Sequence, residues 1–127
     1  MKFYIATRFG RKKEVREIHI TLLDKGHKFL STWVEEGQIK PYNKHLVRAR
    51  KRAIESINAA KDCDVFVLLS DKEGTGMYVE LGIAIMSSLL KGRPKIYIIG
   101  NYPNRSMFFF HPIVKRRKNI EDVLKDI

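Results

Sequence analysis

The stretch Asp64-Val-Phe-Val-Leu-Leu-Ser-Asp-Lys-Glu-Gly-Thr-Gly-Met-Tyr-Val-Glu-Leu-Gly82 runs through three patterns in quick succession. Val65 to Leu69 is an unbroken apolar run, as in a parallel strand covered on both faces. Ser70 to Gly76 is polar and glycine-bearing, and reads as a loop. From Met77 to Lys91 the pattern predicts a helix, apolar nearly all round and therefore buried, with Gly92 as its stop. Downstream, Lys95-Ile-Tyr-Ile-Ile99 repeats the buried-strand pattern and closes on Gly100. Upstream, a helix is expected from Asn43, with Leu46, Ala49, Ala53, Ile57 and Ala60 as its inward stripe. Further back, Lys2 to Thr7 reads as a first strand, and Val15, Ile18, Leu22 and Leu23 as one helix face ending at Gly26. His27 to Val34 is the expected second strand. A short helix, Ile120 to Ile127, closes the chain, with Asn119 and Asp122 resembling a capping box.

Strands alternating with helices predict an α/β three-layer sandwich around a parallel sheet. Right-handed crossovers narrow this to a flavodoxin-like, doubly wound sheet of order 2-1-3-4, with a fifth edge strand available at Ile113–Lys115. The whole chain, residues 1–127, is expected to form a single domain. Its 44% hydrophobic and 31% charged residues exclude a disordered or fibrous chain. Leu81 to Leu90 is the longest apolar stretch, about half of the ~20 residues a membrane span needs. Arg8, Arg11, Lys12 and Lys13 fall where a signal peptide would need an apolar region. The lone Cys63 allows no intrachain disulfide and fits a reducing cytoplasm, the expected location. A formal charge of +11 points to an anionic partner or to a heavily solvated surface. Residues 40–52 are strongly basic, and a solvated helix face explains that run better than a nucleic-acid surface, since no RNP or helix-turn-helix signal accompanies it.

In such sheets ligands bind beyond the carboxyl ends of the strands, at the point where strand order reverses. That rule selects Thr7–Arg11, Ser70–Gly76 and the Gly100–Ser106 loop. Glu80 is a lone acid among Met77, Val79, Leu81 and Ile83, at a helix start whose dipole favours the ionised form. It suits a nucleophile or electrostatic stabiliser; the alternative is a pairing with a cation such as Arg8. Gly74, Thr75 and Gly76 can present backbone N–H groups to a phosphate or sugar, although a tight turn would need the same glycines. Cys63 has no nearby histidine and reads as an inert core thiol. His19, His27, His45 and His111 lack ligand spacing, so no metal site is expected, and no cofactor.

Phe3-Tyr-Ile-Ala-Thr-Arg8, Gly26-His27 leading into Ser31-Thr-Trp33, Ala60-Lys-Asp-Cys-Asp64-Val-Phe-Val and Gly74-Thr-Gly-Met-Tyr-Val-Glu-Leu-Gly82 occur in the order seen in the nucleoside 2-deoxyribosyltransferase family. The chain resembles that family, which includes deoxynucleoside-monophosphate N-glycosidases, from about Lys2 to Pro112. The resemblance implies cleavage or transfer at the N-glycosidic bond of a (deoxy)nucleoside or its 5′-monophosphate, with Glu80 as nucleophile and Tyr4 beside it. Where the family carries an Asp eight residues before the Asp of strand three, this chain has Ser56, so the resemblance implies that Glu55, Asp71 or Glu73 handles the base's proton instead, or that activity is altered. Asp71 is placed with the catalytic residues. Arg8, Phe9, Arg11, Trp33, Gly74, Thr75, Gly76 and Ser106 are the expected substrate-binding set, with Arg8 and Arg11 as cations for a phosphate. A homodimer or higher homo-oligomer is expected, burying part of Met107 to Phe110. Two rival readings stay open: a non-catalytic nucleotide-binding module of the same fold, favoured by Ser56, and a nucleic-acid-binding protein using residues 40–52.

Overall fold

The computed structural model describes residues 1–127, and its centre is β3 (Val65–Leu69), with every residue buried. β3 lies between β1 (Lys2–Ala6) and β4 (Lys95–Ile99), parallel to both, with Tyr4 opposite Phe66 and Val67 opposite Tyr97. β2 (Lys28–Phe29) and β5 (Val114–Arg117) form the edges, so the five-stranded order is β2-β1-β3-β4-β5, all parallel. The helices are α1 (Lys12–Asp24), α2 (Leu46–Asp62), α3 (Gly76–Lys91) and α4 (Ile120–Asp126). α2 and α3 pack on each other, while α1 and α4 flank a common cleft elsewhere on the sheet. This is the flavodoxin-like sandwich that the apolar runs predict.

Four local expectations are corrected. β2 pairs for only two residues, because the chain then turns inward as a 3-10 turn at Thr32–Glu35. The Trp33 indole N–H donates to the Ile5 carbonyl at 2.9 Å, and Val34 is fully buried, so side-chain burial outcompetes further strand pairing. α2 starts at Leu46, after a separate 3-10 turn at Tyr42–Lys44. Of its expected inward stripe only Ala60 is buried, while Leu46 and Ile57 face solvent. α3 is not buried all round: Met77, Leu81, Ala84 and Ser87 turn inward, whereas Val79, Met86, Leu89 and Leu90 are exposed. A helix lying on a sheet covers one stripe, and the shared contact with α2 does not cover the rest. At the end of the chain, Asn119 Oδ1 accepts from the Asp122 N–H at 3.0 Å, but the Asp122 carboxylate makes no return bond, so half of the capping box forms.

Gly100 closes β4 with φ +109° and sits tightly over Ser70, whose Oγ accepts from the Tyr102 N–H at 3.0 Å. A Cβ at residue 100 would lie 3.0 Å from that Oγ. Gly100→Ala therefore combines a left-handed conformation with a steric clash, and urea denaturation should show a loss of about 1–3 kcal/mol. Unchanged stability would contradict this close approach of the two loops.

Candidate active site

The carboxyl ends of β1 and β3 open into a cavity of about 210 Å³, at the place where the sheet order reverses. Tyr4 comes from β1 itself. Its ring is buried and stacks on Phe66, at 5.8 Å between centroids. Glu80 comes from the second turn of α3, which an apolar stripe of Met77, Leu81 and Ala84 fixes against the sheet. Glu80 as a residue is half-buried, yet its Oε2 is sealed from solvent and has no hydrogen-bond partner. The Tyr4 hydroxyl is in the same condition. Buried polar atoms in folded proteins nearly always find partners; these two meet none at close hydrogen-bonding geometry, yet they face one cavity near enough for each to shift the other's ionisation.

Their ionisation reflects that environment. Burial pushes the Glu80 carboxyl up to about 7, while the Tyr4 hydroxyl and the Arg52 guanidinium pull the other way. Burial also holds the Tyr4 phenol well above its ordinary value, reinforced by Glu80, while Ser56 and Arg52 act in the opposite sense. The helix-dipole expectation of a readily ionised Glu80 is thus overridden by desolvation. Glu80 instead changes charge near neutral pH.

Gly74, Thr75 and Gly76 form the cavity rim beside Glu80. No side chain caps α3, and of its first-turn amides that of Tyr78 donates to the Thr75 carbonyl at 3.1 Å, so an incoming anion would meet those of Gly76 and Met77. Gly74 has φ +100°, and a Cβ there would meet Arg8 Cβ and Met77 Cε at 3.2 Å, so the loop requires glycine at this position. Arg8, Phe9 and Trp33 also line the cavity. Phe9 and Trp33 are tilted neighbours with centroids 6.4 Å apart, and the Lys12 ammonium lies 4.9 Å over the Phe9 ring.

Three expected site residues lie outside this lining. Asp71 is engaged by Arg8 Nε at 2.9 Å and Arg11 Nη1 at 3.5 Å, and its other oxygen accepts from the Glu73 N–H. Burial alone would raise its carboxyl; the Glu73 N–H and the two guanidinium groups hold it below the usual range instead. Arg11 is committed to the Ser70 carbonyl, Asp71 and Glu14. Ser106 caps the short turn at Met107–Phe110, accepting from the Phe108 N–H. Arg8 pairs with Asp71, not with Glu80, and of its nitrogens only Nε is hydrogen-bonded. Glu55 and Glu73 do not line the cavity either.

Sequence reading missed Arg52 and the Glu36–Tyr42 segment. Arg52 was visible only as one member of a basic run. Lys40 and Arg52 line the cavity, whereas Arg48 lies near Glu36 and Lys51 near Glu55. An apolar groove continues from the cavity between α2 and α3, walled by Ala53, Ile57 and Val79. Cys63 is buried, with its thiol pushed up to about 12, as an inert core thiol would be.

No protein-family model matches the chain. No curated protein matches it in sequence. Among solved structures, the CMP N-glycosidase BcmB of Clostridium botulinum is similar, with a TM-score of 0.61 over 99% of this chain and 97% of that one. The two sequences are 16% identical, so what they share is the fold.

The raised carboxyl makes a stability prediction. Below about pH 4.5 Glu80 is protonated both folded and unfolded, and burial carries no charge penalty. As pH rises from there to about 7, the unfolded chain ionises first and stability is lost; above about 7 the loss is complete. Glu80→Gln removes this penalty. Denaturation should find the variant more stable than wild type by on the order of 2–3 kcal/mol at pH 8, and nearly equal to it at pH 4. A difference independent of pH would contradict the burial of the carboxylate.

Proposed function

We propose that this chain cleaves or transfers the N-glycosidic bond of a (deoxy)nucleoside or nucleoside 5′-monophosphate through Glu80. One observation carries the reading: the buried, unpartnered Glu80 Oε2 lines a cavity together with the buried, unpartnered Tyr4 hydroxyl. The shared fold with a CMP N-glycosidase is consistent with it. In this reading the ionised Glu80 attacks C1′, the bond to the base nitrogen breaks, and the base departs with the electron pair. Water, or a second base, then attacks C1′ of the glycosyl ester and returns the electrons to the carboxylate. The Tyr4 hydroxyl, held in its neutral form, donates to the carboxylate between steps and orients it. The Gly76 and Met77 amides at the start of α3 and the free nitrogens of Arg8 suit a 5′-phosphate.

Free base released from a panel of deoxynucleosides and their monophosphates, CMP included, is the test. Wild type should release base, more slowly as the pH falls below about 7, since the protonated carboxyl is no nucleophile. Glu80→Gln should lose at least a hundredfold, about 2.7 kcal/mol of barrier. A variant keeping more than about a tenth of the wild-type rate would exclude Glu80 as nucleophile. Tight nucleotide binding without turnover would favour the non-catalytic module, for which Ser56 speaks.

The same reading includes self-association. The cavity is smaller than the roughly 300–1,000 Å³ that encloses a drug-sized ligand, which leaves part of a nucleotide uncovered by this chain. Beside it, Ile54, Val79, Met86 and Leu89 expose apolar surface on α2 and α3, as do Met107, Phe108 and Phe110 beyond β4. Sedimentation at micromolar concentration should give a dimer or larger species, and Leu89→Lys should weaken it. A wild-type monomer would count against a shared site.

A further inference from the structure

Arg52 is a largely covered cation that the fold leaves without a hydrogen bond. Its side chain is only 13% exposed, and its one ion pair is a 3.7 Å approach to the half-exposed Glu55. A guanidinium keeps its charge at any accessible pH and offers five N–H donors, which interiors normally satisfy in full. Arg52 lines both the Glu80 cavity and the apolar groove that continues from it. Ser56 lies one turn further along α2, on the same face, and also lines that cavity. Besides Glu80, the one acid in the lining is Glu36, which is about one-third exposed and 3.9 Å from Arg48. The face of α2 that looks onto Glu80 therefore carries a fixed positive charge and a neutral hydroxyl, but no proton-donating acid.

Building on the N-glycosidase reading, we infer that Arg52 grips the carbonyl oxygen next to the glycosidic nitrogen and stabilises the base as it leaves as an anion. When the C1′–N bond breaks, the electron pair passes to the base nitrogen and delocalises onto that oxygen. The guanidinium N–H groups donate to the oxygen, and the base takes its proton from water after departure. A pre-oriented charge of this kind acts where the transition state gains charge, and needs no proton transfer. The substrate class follows from the geometry of the acceptor. Pyrimidines carry a carbonyl beside the glycosidic nitrogen, whereas purines offer only a ring nitrogen there. Pyrimidine nucleotides are thus the preferred substrates, and Arg52 is a catalytic residue that also sets specificity.

The test compares wild type, Arg52→Met, Arg52→Lys and Glu36→Gln on 2′-deoxyuridine 5′-monophosphate and its 5-methyl and 5-fluoro analogues, with the deoxyadenosine monophosphate as the purine. Wild type should favour pyrimidines by tenfold or more. Arg52→Met should lower kcat by about a hundred- to a thousandfold with KM changed only a few-fold. The loss should be smallest for the 5-fluoro base, the best leaving anion, and largest for the 5-methyl base. Arg52→Lys, which keeps the charge, should recover part of the rate. Equal losses on all three bases, or a change confined to KM, would overturn the inference. So would a wild-type rate that falls again at alkaline pH and loses that fall in Glu36→Gln, since a proton-donating acid would then serve the leaving base. If Arg52→Met fails to fold, the purine-to-pyrimidine ratio of wild type and the lysine variant still decide. Purine release without pyrimidine release overturns the role of Arg52 alone, while release of no base from any nucleotide overturns the N-glycosidase reading as well.

Discussion

Sealing Glu80 Oε2 beneath the cavity costs the fold free energy, because a carboxylate taken out of water and given no partner is an unfavourable group. Everything around it determines whether that state can persist. β1 and β3 bring Tyr4 and Phe66 into a stacked pair that blocks water from the sheet side. The stripe Met77, Leu81 and Ala84 anchors α3 and so fixes where the Glu80 backbone sits against the cavity. Arg8, which could have neutralised Glu80, is drawn aside by Asp71, and the Gly74 turn leaves no room for a Cβ between Arg8 and Met77. The result is a carboxyl group held in an unfavourable state by well-packed neighbours, which is what the proposed nucleophile would require.

The sheet was readable because its strands state their environment directly. A continuous run such as Val65–Leu69 has only one comfortable home, the middle of a parallel sheet, and three such runs with intervening helices leave few topologies. Glu80 was readable for the complementary reason: an acid on an apolar stripe conflicts with its surroundings. Its ionisation was not, since pattern places it near a positive helix end but does not reveal how deeply one oxygen is buried. β2 shows the same limit in the backbone. His27 to Val34 has strand composition, but the Trp33 indole reaches the Ile5 carbonyl only if the chain leaves the sheet early.

Arg52 and the Glu36–Tyr42 segment escaped because only tertiary packing brings them to the cavity. In sequence Arg52 is one of many cations on α2, and only packing distinguishes it from Lys51, which points into solvent beside Glu55. Asp71 erred in the opposite direction: close to Glu80 along the chain, it is claimed by Arg8 and Arg11 before it can reach the cavity. The apolar residues on the outer sides of α2 and α3 carry a helical periodicity that reads as core, whereas in the single chain they remain uncovered. Charge follows the same rule. A basic run signals an anion, but the structure divides it into cavity cations, Lys40 and Arg52, and others that are paired or solvated.

The central claim is that Glu80 becomes covalently attached to the sugar. Incubation with a nucleotide whose 2′-position carries fluorine slows release of the glycosyl ester, because an electronegative substituent there destabilises the oxocarbenium-like transition state of hydrolysis. Mass spectrometry of the intact chain, followed by peptide mapping, should then show one added sugar phosphate on the peptide that contains Glu80, formed with release of one equivalent of base. An adduct on any other residue, or base released with no adduct at all, would contradict the account.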